Sequence, residues 1–450
     1  MTRRPLYNLT EGSIISGMWR LSLPMVGSMI LHDILQLVDL FFLGRLGAVY
    51  VAGLTMGGVF VETFYTLAMG ISTGTVAMVA RHVGAGKRKE AHNVVVQSIF
   101  IGLALSLIMT GLGLFLSDWA LTLIGTTGEV KVQGAVYLRI VALGSVFIFV
   151  PFNLNSALRG AGDAVTPLKI MAVSNVLNII LAPLLIFGLL GFPRWEMAGA
   201  AWAVVISRGV GALLTCYVFF SGTSFFRLQA QDMKLDLPVM WTLIRIGFYG
   251  SLQMLFRNIS ALFIARLVAV FGITAMAAYG IVIRLRMSVL LPGMAIGNAA
   301  ATLVGQNLGA GKPERAVKTG WAGVGFYAVF MLCLTFLFIL FANELVGVFN
   351  QSPEVIAEGS LFLKIFSATF IFLAFSSVLG RAITGAGDTF SPMVITGLII
   401  LGLRIPLAYM LSLSLGPAGI WLGMALSNVV QGIVFTFWFH LGRWKKAMID

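Results

Sequence analysis

The sequence consists of two related halves, and this duplication restricts the folds that the chain can adopt. Residues 84–87, with the sequence GAGK, recur unchanged at 309–312, which is 225 positions later. Residues 160–163, with the sequence GAGD, recur at 385–388 with the same displacement. One constant displacement across separate motifs is the mark of an internal repeat, so we expect both halves to form the same structural unit.

The composition indicates that these units lie in a membrane. Hydrophobic residues make up 59% of the chain and charged residues 10%, whereas soluble domains have about 45–50% apolar residues. A helix needs roughly 20 apolar residues to cross a bilayer. The sequence predicts twelve such helices, near 21–43, 50–80, 93–117, 133–158, 168–190, 198–220, 240–270, 275–304, 318–342, 356–380, 393–413 and 418–440.

A polar linker divides the predicted helices into two sets of six. We expect an N-terminal lobe at 1–220, a linker at 221–238 and a C-terminal lobe at 239–450. Because six is an even number, both lobes would enter the membrane from the same side. The predicted fold is therefore an all-α polytopic membrane protein with two parallel six-helix repeats.

The distribution of basic residues predicts the orientation of the protein. The net charge is +13, but Lys and Arg lie mainly in short loops between apolar segments, which argues against a nucleic-acid-binding surface. The loops rich in Lys and Arg fall on the side that carries both termini and the linker. The positive-inside rule then places that side in the cytoplasm and the protein in the cell membrane, which it crosses many times.

The repeated glycine motifs are predicted to be tight turns. In 159–167 (RGAGDAVTP), glycine can end one helix, and we expect Thr166 to cap the next helix with Pro167 in its first turn. The motif at 84–87 superficially suggests a phosphate-binding loop. However, the pattern GxxxxGK[ST] is absent, which argues against nucleotide binding.

The first apolar segment carries His32, Asp33, Gln36 and Asp39. An ionised carboxylate in the hydrocarbon region costs about 2.5–3.5 kcal/mol on insertion scales. His32, Gln36 and Asp39 share one face of a helix, while Asp33 points about 100° away. The stripe indicates either a proton, ion or substrate site or a polar cluster that fastens helices together.

Further polar residues inside apolar segments are candidates for a substrate cavity, with structural contacts between helices as the alternative interpretation. We interpret Arg266 and Arg286 as residues that snorkel or fix helix contacts. The candidates for the cavity are Asp33, Glu62, Tyr65, Asn153, Asn155, Gln253, Arg257 and Arg284.

Several of these segments resemble the multidrug and toxin extrusion (MATE) family. The resemblance lies in Pro24 with Asp39, and in 70–86 (GISTGTVAMVARHVGAG), 302–311 (TLVGQNLGAG) and 381–392 (RAITGAGDTFSP). Residues 253–257 (QMLFR) look more like the DinF-like branch of that family. The resemblance implies a V-shaped central cavity between two lobes and antiport of amphiphilic, usually cationic, compounds against H⁺ or Na⁺. We expect a monomer in contact with lipid, with no cofactor other than the coupling ion.

The resemblance also assigns residues to the coupling site. Asp39 matches the family's first-helix aspartate, and Asn178 matches an asparagine in the fifth helix, with Gln36 as a neutral partner. One turn after Asn178 the branch often has an aspartate, where this chain has Ala182. Because hard cations prefer several oxygen ligands, this departure favours H⁺ over Na⁺. In the C-terminal lobe Gln253 is the nearest polar residue to the position of the other branch's acid, so we expect no coupling there.

The sequence therefore predicts a secondary active antiporter that exports amphiphilic small molecules. The alternative is a flippase for a lipid-linked or anionic amphiphile, which the arginines of the C-terminal half suggest. A passive pore is a third possibility, and the duplicated lobes argue against it. No Ser-His-Asp, paired-carboxylate or Cys/His pattern points to an enzyme or to a metal site.

Overall fold

The computed structural model describes residues 9–447, which form long α-helices joined by short turns. The first eight helices are α1 (Ile14–Gly44), α2 (Ala48–Gly84), α3 (Arg88–Phe115), α4 (Ser117–Leu123), α5 (Gly128–Leu143), α6 (Val146–Gly160), α7 (Val165–Phe187) and α8 (Glu196–Phe220). The others are α9 (Leu237–Ala269), α10 (Ile273–Gly309), α11 (Pro313–Leu340), α12 (Ala342–Gly347), α13 (Pro353–Ser367), α14 (Phe370–Gly385), α15 (Phe390–Gly397), α16 (Ile405–Leu415) and α17 (Pro417–Leu441). A π-helical segment, Leu398–Arg404, joins α15 to α16.

The helix boundaries confirm the duplication that the sequence predicts. Helices α2 and α10 have 37 residues each, and α3 and α11 have 28 each. Each pair begins and ends 225 positions apart. One difference is that α7 is continuous, whereas its counterpart is interrupted by the π-helical segment.

The number of apolar helices agrees with a multi-pass membrane protein. Ten helical spans in the described part of the chain are long and apolar enough to cross a bilayer. Two further spans, expected near 133–158 and 356–380, are each a pair of helices with a bend between them. The bend is 54° between α5 and α6 and 51° between α13 and α14. Counting each bent pair as one span gives the predicted twelve.

The chain forms two compact units whose limits differ from the expected ones. The N-terminal unit contains Leu23–Phe248, and the C-terminal unit contains Leu9–Ser22 together with the chain from Tyr249 onward. The expected limits at 220 and 239 follow the linker, whereas in the structure α1 and α9 each change unit along their length. The terminal residues 1–8 and 448–450, which are predicted to be cytoplasmic, lie outside the described residues.

Specific contacts explain this division. At the start of α1, the ring of Trp19 packs edge-on against Phe326, with 4.5 Å between ring centres. Lys312 Nζ donates a hydrogen bond to Thr10 O over 3.1 Å, also within the C-terminal unit. The linker belongs to the N-terminal unit, where Gln97 Nε2 donates to Lys234 O over 2.8 Å.

The repeated GAGD turns cap the following helices through their aspartates, so the prediction that Thr166 is the cap is wrong. Asp163 Oδ1 accepts hydrogen bonds from the backbone N–H groups of Val165 and Thr166, over 3.1 and 2.9 Å. In the second copy, Asp388 Oδ1 accepts from the backbone N–H of Ser391 over 3.0 Å. The third residue of each motif, Gly162 and Gly387, has φ of 95° and 100°, where side chains are rarely tolerated.

Asp163→Ala is therefore expected to destabilise the protein by about 0.5–2 kcal/mol, the usual cost of losing an N-terminal cap. The measurement is the fraction of purified protein that stays monodisperse after heating. Thr166→Ala is the matched control, since it leaves both hydrogen bonds to Asp163 in place. Equal losses for the two variants would contradict the assignment of the cap to Asp163.

Two glycines allow close approach of neighbouring helices. A Cβ atom at Gly199 would lie 2.4 Å from Leu185 O, and one at Gly419 would lie 2.2 Å from Leu411 O. Both glycines stand in the first turn of a helix, α8 and α17, that packs against the preceding helix. The same backbone approach thus occurs in both units.

Candidate functional site: a carboxylate and an arginine cluster

Helix α1 directs Asp39 into the N-terminal unit. Leu35 and Leu43, one turn before and one turn after Asp39, are 4% and 0% exposed, and Asp39 itself is 7% exposed. Residues four apart share a face of a helix, so the buried face of α1 carries this carboxylate. A buried ionisable group needs partners that satisfy its oxygens.

Asn178 provides such a partner from α7. With its amide nitrogen facing the carboxylate, it donates a hydrogen bond to Asp39 Oδ1 over 3.2 Å, and its oxygen accepts from Val204 N over 3.3 Å. This orientation is the one that satisfies both ends of the amide. Asp39 is thereby connected through one side chain to α7 and α8.

Ala182, one turn after Asn178, is fully buried in the same core. Because this position holds a methyl group in place of a second carboxylate, Asp39 and Asn178 together offer one carboxylate and one amide. Among the residues 9–447, no group of three or more His, Cys, Asp and Glu side chains is placed to hold a metal ion.

A second polar group lies on α1 and α2. Gln36 Nε2 donates to Glu62 Oε1 over 3.4 Å and lies 3.2 Å from His32 Nε2. Gln36 and Glu62 are exposed on the surface of the N-terminal unit. The ring of Tyr65 lies edge-on to His32, with 6.3 Å between centres. The structure thus brings together His32, Gln36, Glu62 and Tyr65 from the predicted set.

Arg208 was not predicted, although it belongs to this region. It is half-buried on α8, one turn after Val204, and lies within electrostatic range of Asp39, His32 and Tyr65. The sequence contains the signal that identifies it, because Arg208 is the one charged residue between Met197 and Phe220. A charged residue inside an apolar helix is a candidate for function by default.

The remaining predicted residues of the N-terminal unit have different surroundings. Asn153 is fully buried, and its Nδ2 donates to Ser98 O over 3.2 Å, so it connects α6 to α3. This is a contact between helices, which was the alternative interpretation. Asn155 is half-buried, and Asp33 is exposed on α1 on a different face from Asp39.

In the C-terminal unit, Gln253 has a structural contact. Its Nε2 donates to Thr396 Oγ1 over 2.8 Å and to Pro392 O over 3.2 Å, which ties α9 to α15. Near it, four arginines from different helical segments lie within electrostatic range of one or more of the others, and we call them the arginine cluster. Its members are Arg257 on α9, Arg286 on α10, Arg381 on α14 and Arg404 at the end of the π-helical segment.

The arginine cluster partly changes the predicted assignment. Arg286, interpreted from the sequence as a snorkelling or packing residue, lies beside Arg257 in the cluster. Arg284, predicted with Arg257, lies two residues before Arg286, on another face of α10. Arg284 and Arg257 are both exposed, so exposure does not distinguish them. The sequence pattern alone could not separate Arg284 from Arg286, because it does not define which face of α10 is inside.

The two copies of the fold have diverged in charge. At the displacement of 225, Ile264 stands where the first copy has Asp39, and Met287 stands where it has Glu62. Arg257 occupies the position of His32. The buried acid thus belongs to one unit and the arginine cluster to the other.

Comparison with known proteins defines the class. The model of the MatE family matches residues 24–184 and again 247–410, one match in each half. The probable multidrug resistance protein NorM of Thermotoga maritima is 29% identical over 440 residues, covering 96% of this chain and 93% of that protein. A FAD transporter of Shewanella oneidensis is 26% identical over 88% of each chain. The crystal structure of MATE in the bent conformation has a TM-score of 0.92 and 23% identity, covering 99% of both chains.

The helical spans, the duplicated six-helix fold and the intramembrane polar groups define a polytopic membrane transporter. The chain belongs to the MATE family.

Proposed function

We propose that this protein is a secondary active antiporter that exports amphiphilic small molecules, with cations as the main substrates, in exchange for protons. The observation that carries the proposal is the buried Asp39 carboxylate with its amide partner, Asn178. Relatives named as multidrug resistance proteins support the substrate class. We further propose a monomer in the cell membrane with both termini in the cytoplasm, because basic loops face that side.

The hydrogen bond between Asp39 and Asn178 supplies a mechanism for coupling. An ionised Asp39 accepts from the amide nitrogen, while the amide oxygen is held by Val204 N. A protonated Asp39 becomes a donor and favours the opposite orientation of the amide. That orientation would remove the acceptor from Val204 N, so protonation changes the contact of α1 with α7 and α8. A contact with two states of this kind can open the substrate site to one side of the membrane and then to the other.

Na⁺ is the alternative coupling ion. Sodium prefers several oxygen ligands, while Asp39 and Asn178 provide one carboxylate and one amide beside Ala182. The donor set therefore fits a proton better.

The test uses proteoliposomes containing ethidium, in which a pH gradient and a Na⁺ gradient are imposed separately. Movement with the pH gradient alone supports protons, and movement with the Na⁺ gradient alone would reject them.

Glu62→Gln is expected to weaken the binding of ethidium by up to about fivefold, because exposed charge pairs contribute about 0.2–1 kcal/mol. The exposed Glu62 carboxylate provides the negative charge that a cation would meet beside Gln36. Binding is measured by fluorescence anisotropy, with neutral Nile red as the comparison ligand. Glu129→Gln, at the start of α5, is the matched control. A similar loss for both ligands would reject an electrostatic role for Glu62.

A second candidate function is the transport or flipping of an anionic amphiphile. The arginine cluster favours it, and one relative is named a FAD transporter. FAD carries a diphosphate group, which arginine recognises well. Under this alternative, gradient-driven movement would be seen with an anionic dye and not with ethidium.

A further inference from the structure

The arginine cluster carries uncompensated positive charge in the C-terminal unit. Arg404 is buried, Arg286 and Arg381 are half-buried, and Arg257 is exposed. Arg257, Arg286 and Arg404 interact electrostatically with one another, and Arg381 interacts with Arg257. Arginine stays protonated in proteins, and a charged group within a membrane is costly unless it has a partner. The cluster therefore needs an anion or a carboxylate nearby.

The carboxylates of the C-terminal unit do not compensate the charge of the arginine cluster. Two of them have other hydrogen-bond partners, and the others lie elsewhere in the unit. Asp388 caps α15, and Glu358 accepts a hydrogen bond from Trp421 Nε1 over 2.5 Å. The other acids in the described part of the unit lie near the starts of helices or before α1, at Glu11, Glu314, Glu344 and Glu354. None of them forms an ion pair with the cluster in the described part of the chain.

The structure holds one member of the cluster in a fixed position. Arg404 is 7% exposed, and its Nε donates to Ser427 Oγ over 2.7 Å while Nη2 donates to Asn428 Oδ1 over 2.8 Å. Arginine has five N–H donors, so these two bonds orient the group and leave other donors available. Arg404 also ends a π-helical segment, a feature that is frequent at functional sites.

A second member of the cluster has an unsatisfied donor. Arg286 Nε is buried and has no hydrogen-bond partner among the described residues. The guanidinium carbon of Arg286 lies 5.2 Å from the centre of the Phe366 ring, which supports the group from one side. Buried donors in folded proteins nearly always have an acceptor. The missing acceptor points to a ligand.

The surroundings indicate that this ligand has an apolar part. Tyr279 lies within electrostatic range of Arg286 and Arg404. Its ring stacks on Phe362 and Trp421, with 6.3 and 6.1 Å between ring centres. Phe362 and Trp421 are fully buried, so the half-buried Tyr279 is the one of these three rings that a ligand can reach. A small hydrated anion gains little from an aromatic ring, whereas an amphiphile can place its acidic head at the arginines and its body against Tyr279.

We infer that the arginine cluster binds the anionic head group, phosphate or carboxylate, of an amphiphile within the C-terminal unit. Arg257 and Arg286 contact the head group, and Arg404 holds the most buried position. The inference concerns binding and does not require that the amphiphile be transported. It goes beyond the proposed export of cations, and it stands or falls independently of the coupling at Asp39.

The experiment measures binding of dodecyl phosphate to the full chain in nanodiscs of phosphatidylcholine, with no ion gradient. Dodecanol and dodecyltrimethylammonium serve as neutral and cationic comparison ligands. Arg257→Gln and Arg286→Gln should each weaken binding of dodecyl phosphate about tenfold or more, because hydrogen bonds to charged groups are worth about 1.5–3 kcal/mol. Arg266→Gln and Arg284→Gln are matched controls on the same two helices and should leave the affinity unchanged.

A second measurement distinguishes the sources of the head group. Native mass spectrometry of protein from nanodiscs that contain phosphatidylglycerol shows whether this lipid is retained and whether Arg257→Gln releases it. If phosphatidylglycerol is retained and Arg257→Gln releases it, the ligand of the cluster is a lipid. If dodecyl phosphate binds but phosphatidylglycerol is not retained, the ligand is another anionic amphiphile. Equal affinity for dodecanol, or equal losses in the control variants, would overturn the inference. Size-exclusion elution confirms that each variant is folded.

Discussion

Asp39→Asn is expected to reduce gradient-driven transport to the level of liposomes without protein, while the variant remains folded and still binds substrate. Asparagine has nearly the shape of aspartate and can keep a hydrogen bond to Asn178, so the contacts of α1 are preserved. It cannot gain or lose a proton, so the change of state that couples the proton to the substrate is removed. The measurement is the uptake of ethidium into proteoliposomes under an imposed pH gradient.

Two comparisons make this result specific. Asp33→Asn changes an exposed carboxylate on the same helix and should retain transport. Binding of ethidium, measured by fluorescence anisotropy without a gradient, should persist in Asp39→Asn, since binding does not need the change of state. Uptake by Asp39→Asn at the unaltered rate would show that the coupling proton binds elsewhere.

Gly419→Ala is expected to destabilise the protein strongly, because there is no room for the methyl group that it adds. The new Cβ would lie 2.2 Å from Leu411 O and 2.6 Å from Ser412 N, both of which are backbone atoms. Backbone cannot move aside as a side chain can, so α16 and α17 must separate. Overpacking of this kind typically costs about 1–3 kcal/mol and occasionally more. The measurement is the temperature at which half of the purified protein loses its monodisperse elution.

A matched pair of glycines tests the explanation. Gly325→Ala adds the same methyl group to α11, where nothing lies within 4 Å of the new Cβ, and should not destabilise the protein. Gly199→Ala repeats the overlap in the first copy, at 2.4 Å from Leu185 O, and should behave like Gly419→Ala. If all three variants lost half of their monodisperse elution at the same temperature, close backbone approach would not be the reason for glycine at positions 199 and 419.

The duplicated fold could be predicted because its signals are local and repeated. The GAGK and GAGD motifs set the displacement of 225, and the structure places the ends of α2 and α10, and of α3 and α11, at that displacement. That His32 and Gln36 lie together on α1 also followed from helical periodicity. These features depend on residues near one another in the sequence, which one chain is sufficient to show.

Other features depend on which residues meet across the fold. Periodicity could not tell Arg286 from Arg284, because the inner face of α10 is defined by its neighbours. Arg208 carries a visible signal, but its proximity to Asp39 depends on how α8 packs. The sequence predicted Thr166 as the N-terminal cap of α7, whereas the structure shows that Asp163 is the cap. Asp and Thr both favour the cap position, so only the geometry of the turn decides between them.

The assignment of the first part of α1 to the C-terminal unit affects how the protein is made. Residues near Thr10 and Trp19 are synthesised about three hundred residues before their partners Lys312 and Phe326. Until then this segment lacks its final contacts, although the domains of many proteins fold in order during synthesis. Contacts so distant in sequence slow folding. Helix α1 therefore enters the membrane before α11 but is fully packed only after α11 has been made.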